Sequence, residues 1–136
     1  MRGGAPRNLS LMARGIGVDA VEIDRIRGAR ERHGEAFARR VLSEPELETY
    51  RRSATPDLFL AGRFAAKEAV MKVLGTGWAR GVTFRDIEIL KDSEGAPIVD
   101  LSGVAATRAR ALGIRRVLVS ITHTRDLAVA TGIGEG

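Results

Sequence analysis

The chain has no cysteine among its 136 residues, and that absence removes disulfides, thiolate metal sites and a cysteine nucleophile together. It fits a reducing compartment, and the expected location is cytoplasmic. Aromatic residues are scarce, with one Trp, one Tyr and four Phe, and none sits among basic residues as a platform on which bases would stack. No apolar run is long enough for a membrane span or a signal h-region, so we expect a soluble protein with no membrane partner. Internal repeats and low-complexity blocks are absent too. What is abundant is positive charge: the net charge is +5, and 19 of the 22 basic residues are arginine, whose planar fork suits phosphate and carboxylate. An anionic partner and a merely solvated arginine surface both account for that balance. The length and a 44% hydrophobic content suit one domain with one ordinary core.

The most informative stretch runs from Leu58 to Leu74, whose only charges are Arg63, Lys67, Glu68 and Lys72. Its limits are marked locally. Thr55 is a candidate cap, Pro56 fits the first helical turn, Asp57 complements the dipole, and Gly75 can end the helix in a left-handed turn. A helix apolar around most of its circumference is expected to be buried, where ions need partners or ligands. One reading pairs Glu68 with Lys72 along the helix and lets Arg63 and Lys67 snorkel to solvent. The other makes these charges a site.

Residues 1–14 lack apolar periodicity and read as a flexible leader, with the domain covering 15–136. Gly15 to Val21 alternates as a strand does, with Gly17 leaving open space beside Asp19. Asp19 then either binds an ion or caps the helix that follows. Glu22 to Leu42 is an amphipathic helical stretch broken near Gly34, with Arg25, Arg27, Arg30, Arg32, Arg39 and Arg40 on its polar face. Ser43-Glu-Pro-Glu opens a short helix ending near Arg51. Gly75-Thr76-Gly77 is either a plain turn or a phosphate cradle. Phe84–Leu90 with Ala96–Leu101, and Arg116–Thr122 with Leu127–Ile133, read as two hairpins flanking a helix over Val104–Leu112. Along the last strand Ala128, Ala130 and Gly132 share a face, so something packs closely there. This order gives an α+β domain with a largely antiparallel sheet packed on the long central helix.

Three stretches, Gly15-Ile-Gly-Val-Asp19 with Glu22 and Arg25, Gly62-Arg-Phe-Ala-Ala-Lys-Glu-Ala69 followed by Gly75-Thr-Gly77, and Ser120-Ile-Thr-His-Thr124, together resemble the short bacterial-type holo-acyl-carrier-protein synthases of the 4′-phosphopantetheinyl transferase superfamily. The resemblance covers about Gly15 to Ile133. It implies a Mg²⁺-dependent transferase moving 4′-phosphopantetheine from coenzyme A to a serine of apo-acyl carrier protein. Such an enzyme belongs to lipid metabolism, with a fatty-acid or a polyketide carrier left open. The resemblance implies Asp19 and Glu68 as metal ligands, Glu68 and Lys67 as catalytic groups, and Arg63, Gly75, Thr76, Gly77, His123 and Thr124 as contacts to the coenzyme. For His123 a capped turn histidine is the alternative. Arg25, six residues after Asp19 and so about a turn and a half beyond the implied metal site, is the expected contact to an acidic carrier, close to the incoming serine, and the resemblance implies a homotrimer with sites at subunit clefts. A small basic nucleic-acid-binding module is the competing class, in which the buried charges are structural pairs; the family resemblance argues for a chain with no nucleic-acid partner.

Overall fold

The structure, a computed structural model, describes residues 11–76 and 81–136. In order these form β1 (Ala13–Glu22), α1 (Ile23–His33), α2 (Glu35–Val41), α3 (Glu44–Arg52), α4 (Pro56–Leu74), a 3₁₀ turn (Phe84–Asp86), β2 (Ile87–Lys91), β3 (Pro97–Leu101), α5 (Gly103–Ala111), β4 (Arg116–His123) and β5 (Leu127–Glu135). β1, β5 and β4 make an antiparallel sheet in that order, and β2 and β3 form a separate hairpin. The α+β class and the antiparallel sheet on a central helix are as expected from the sequence.

Local chemistry sets most boundaries. Gly34, at φ 61°, separates α1 from α2. Ser43 caps α3 in a reciprocal capping box with Glu46, satisfying two N–H groups that no helical carbonyl reaches. Pro56 starts α4, and Gly75, at φ 67°, ends it in the left-handed region, where a side chain would be strained. Two boundaries differ from expectation. β1 begins at Ala13, inside the expected leader, because Met12 exchanges both backbone bonds with Gly136 and Ala13 pairs with Glu135. Phe84–Asp86 is a 3₁₀ turn rather than strand, since Asp86 accepts from the Thr83 N–H and closes a capping box.

One face of the three-stranded sheet covers α4. Ala128, Ala130, Gly132 and Gly134 on β5 are buried against it, and the side chains of Leu60, Ala61, Ala65, Ala66 and Ala69 are fully covered. Small residues on both surfaces bring backbone close to backbone, as the run of small residues on β5 implied. Among the described residues the opposite face of the sheet is bare. Ile16 is 72%, Val18 56% and Leu118 45% exposed, with Ile133 between Ile16 and Leu118 in register.

Candidate active site

The direction of α4 relative to β1 decides which side chains meet. A Cβ placed on Gly15 would fall 2.6 Å from the Val73 carbonyl oxygen, and one on Gly17 2.2 Å from that of Ala69. Two residues along the strand, about 6.8 Å, therefore match four residues back along the helix, about 6 Å. The next step sets Asp19 opposite the turn from Ala65 to Glu68. Gly17 is thus not open space beside Asp19, as its lack of a side chain suggested. It is filled by helix backbone.

Asp19 lies mid-strand and does not cap α1, whose N-cap is Glu22. Its Oδ1 is 3.3 Å from Nζ of Lys72, which also donates to the Val18 carbonyl at 2.8 Å. Lys72 thus reaches across to β1. Lys72 pairs with Asp19 where α4 crosses β1, and Glu68, half-buried, precedes Lys72 by one turn on the same side of α4.

Lys67 is elsewhere. It faces roughly 100° from Glu68, is fully buried, and donates at 2.6 Å both to Oε1 of Glu46 and to the carbonyl of Val41. Burial pushes its ammonium below the ordinary lysine range, with Glu46 opposing that shift. Lys67, which the resemblance implied as a catalytic group beside Glu68, is thus set apart from Asp19 and Glu68. Lys67 neither snorkels nor faces the carboxylates, because Glu46 and Val41 hold it on the far side of the helix.

Arg63, one turn before Lys67, is also buried rather than snorkelling, and desolvation lowers its pKa. Its Nε donates to the Ile89 carbonyl at 3.1 Å, and its guanidinium lies 4.7 Å from the ring centre of Phe59. It nonetheless borders a cleft of about 340 Å³ with Lys91, Pro97 and Ser120. His123 ends β4 beside a different cleft of about 350 Å³, shared with Arg27, Leu58 and Arg125. Its Nδ1 sits 3.2 Å from the Thr124 carbonyl. Thr124 shapes the turn by accepting from the N–H groups of Asp126 and Leu127. Within one chain, then, Arg63 and His123 border separate clefts.

Thr76 is buried and its Oγ1 has no hydrogen-bond partner among the described residues; Gly77 lies outside the described residues. Arg25 is exposed on α1, whereas Arg27 and Arg30 are drawn to Asp57, which they hold below the ordinary carboxylate range, Arg30 most strongly. Sequence reasoning misses Lys72 at the site and Glu46 as the partner of Lys67. Lys72 carried a signal, its spacing of four from Glu68, but was read as that residue's helix partner. Glu46 was read only through the cap it forms with Ser43.

Among the described residues no cluster of three or more His, Cys, Asp or Glu is placed to close around a metal. Asp19 and Glu68 offer two carboxylates from facing elements. Such a donor set suits a hard cation that keeps much of its water.

Residues 15–131 match the family model described as the 4′-phosphopantetheinyl transferase superfamily. A holo-(acyl-carrier-protein) synthase of Shewanella frigidimarina is 51% identical over 121 residues, which is 89% of this chain and 96% of that protein. The crystal structure of holo-(acyl-carrier-protein) synthase from Neisseria meningitidis superposes with TM-score 0.84 at 38% identity, over 92% of this chain and 100% of that one. The Helicobacter pylori holo-(acyl-carrier-protein) synthase in complex with coenzyme A superposes with TM-score 0.77 at 32% identity, over 88% of this chain and 98% of that one.

Proposed function

The chain belongs to the 4′-phosphopantetheinyl transferase superfamily, and we propose that it moves the 4′-phosphopantetheine arm of coenzyme A onto a serine hydroxyl of apo-acyl carrier protein, releasing adenosine 3′,5′-bisphosphate. The observation that carries the proposal is the meeting of Asp19 and Lys72 beside Glu68, inside a chain similar along nearly its whole length to synthases of that name. Asp19 and Glu68 would hold Mg²⁺, which supplies charge neutralisation on the diphosphate oxygens.

The chain's own groups do the rest. The serine oxygen attacks the phosphorus bearing the pantetheine arm, and the bond from that phosphorus to the bridging oxygen breaks. Glu68 accepts the serine proton as general base. Lys72, pinned by the Val18 carbonyl and Asp19, faces the oxygen on which negative charge develops and stabilises the departing nucleotide. Arg63 and Lys91 along their shared cleft, together with His123, bind the coenzyme's phosphates. Thr76, with its buried unpaired hydroxyl, is a further donor at the end of α4.

Two features bear on partners. The bare apolar sheet face around Ile16, Val18 and Leu118 supports assembly as a homotrimer, which would bring the clefts of neighbouring subunits together. Exposed Arg25 on α1 is positioned for an acidic carrier. Among the described residues no helix is long and apolar enough to cross a membrane.

Intact-protein mass spectrometry of apo-carrier incubated with coenzyme A and Mg²⁺ tests the reading. The expected result is a mass gain equal to one phosphopantetheine arm, lost with EDTA and lost in Asp19→Ala and Glu68→Ala. No gain under any divalent cation would overturn it.

A further inference from the structure

The buried pair of Lys67 and Glu46 serves none of the chemistry above, yet its construction is elaborate. Oε1 of Glu46 accepts from Lys67 Nζ at 2.6 Å and from the Ser43 N–H at 2.7 Å. Oε2 accepts from the Ile89 N–H at 2.8 Å. Lys67 adds the Val41 carbonyl at 2.6 Å. One carboxylate and one ammonium therefore tie together the end of α2, the start of α3, the middle of β2 and the centre of α4.

Ile89 shows what this replaces. Among the described residues β2 has a ladder partner only in β3, so its other edge faces α3 and α4. There the Ile89 N–H goes to Glu46 and its carbonyl to Nε of Arg63. Side chains stand where a neighbouring strand would bond, and both come from helices whose rotation is then fixed by the bond lengths.

We infer that Lys67 and Glu46 are positioning residues, whose pair fixes the rotation of α4 about its axis and thereby aims Glu68 and Lys72 at Asp19; the inference rests on the function proposed above. Lys67 and Arg63 occupy one face of α4, four residues apart, and Glu68 and Lys72 occupy the next, also four apart. A twist of the helix that loosens the first face displaces the second. Apolar residues alone would let small and similar side chains such as Ala65, Ala66 and Ala69 slide with little penalty, since they interlock weakly. A buried ion pair with three further bonded partners does not tolerate such sliding, because displacement leaves charge unpaired in a dry interior.

Catalysis by a folded variant separates this from a stabilising contact. Replacing both charges by apolar residues of similar volume leaves no lone buried ion, but it strips the Ser43 and Ile89 N–H groups and the Val41 carbonyl of their partners, so Glu46→Leu with Lys67→Met should fold with a midpoint several degrees below that of the wild type. The positioning role predicts that, in the folded protein, kcat falls at least tenfold while KM for coenzyme A and carrier changes less than about twofold. Mn²⁺ affinity, read by electron paramagnetic resonance with coenzyme A present, should fall at least fivefold. Wild-type kcat and Mn²⁺ affinity in the folded double variant overturn the inference. If that variant does not fold, Glu46→Gln decides, since it keeps the volume and removes the charge facing Lys67. A kcat lowered about threefold with KM unchanged supports the inference, and wild-type kcat with wild-type Mn²⁺ affinity overturns it. If the wild-type chain transfers nothing, the functional reading fails and the Mn²⁺ comparison still judges the positioning.

Discussion

Nζ of Lys72 lies 3.3 Å from Oδ1 of Asp19 and 2.8 Å from the Val18 carbonyl, although 53 residues separate Lys72 from Asp19. Lys67, five residues before Lys72, points away and is fully buried. Of the two lysines of α4, then, the half-exposed one pairs with Asp19 and the buried one is in the scaffold.

The two should separate cleanly on mutation. Lys72→Ala removes an exposed side chain, so the thermal midpoint should stay within a few degrees while kcat falls about 10²-fold, as for loss of one donor to a developing oxyanion. Lys67→Ala leaves the Glu46 charge buried without its partner and should cost about 3–5 kcal/mol of stability. Urea unfolding beside steady-state kinetics measures both. A stable Lys67→Ala protein with selectively lost kcat would return that residue to the site.

Gly17 and Gly28 make a matched pair. Gly17→Ala drives a methyl group to 2.2 Å from the Ala69 carbonyl oxygen, so β1 must move off α4; a loss of about 1–3 kcal/mol is expected, together with lower kcat as Asp19 moves. Gly28 lies inside α1, where the nearest atom to an added Cβ is the flexible Arg32 Nη1 at 3.3 Å. Gly28→Ala should raise stability by about 0.5–1 kcal/mol through helix propensity. Chemical denaturation of the two variants reads both signs.

How much of this was legible follows from range. The limits of α4 were readable because Pro56 and Gly75 act on their own backbone, and the close packing of β5 because Ala128, Ala130 and Gly132 alternate. The partner of Lys67 was not readable. Glu46 is 21 residues away and already had a sufficient explanation in its cap with Ser43. Nor does a glycine announce whether it leaves space or admits another backbone, which is why Gly17 was misread. Asp19 and Glu68 stood out as isolated charges in apolar stretches, while Lys72 had a plausible local partner in Glu68 that concealed its reach to Asp19.

Asp57 gives an acid-dependent term. Arg30 first, then Arg27, lower its pKa in the folded chain, so the unfolded chain binds the proton more readily. The clamp therefore contributes fully above the ordinary aspartate pKa near 3.9 and is lost as pH falls through the lower folded value. Asp57→Asn should unfold at a lower temperature than the wild type at pH 7, and the gap should shrink as pH drops below about 4. A gap of constant size across a calorimetric pH series would remove the clamp from the acid limb.

The bare sheet face yields the last expectation. Ile16, Val18 and Leu118 present a continuous apolar surface on strands already paired within the chain, so the pairing of strands within one subunit does not cover it. Burial of such a face stabilises by roughly 25 cal/mol per Å², and large exposed apolar patches mark interaction surfaces. Size exclusion with light scattering should give about three times the chain mass of 14.6 kDa. Val18→Glu places a charge on that face beside Ile16 without touching α4, because Val18 points away from it. The variant should run as a monomer with its secondary structure retained and its transfer activity lost, the coenzyme clefts having lost their neighbour. A fully active monomer, in the wild type or in Val18→Glu, would show that one chain completes the site alone.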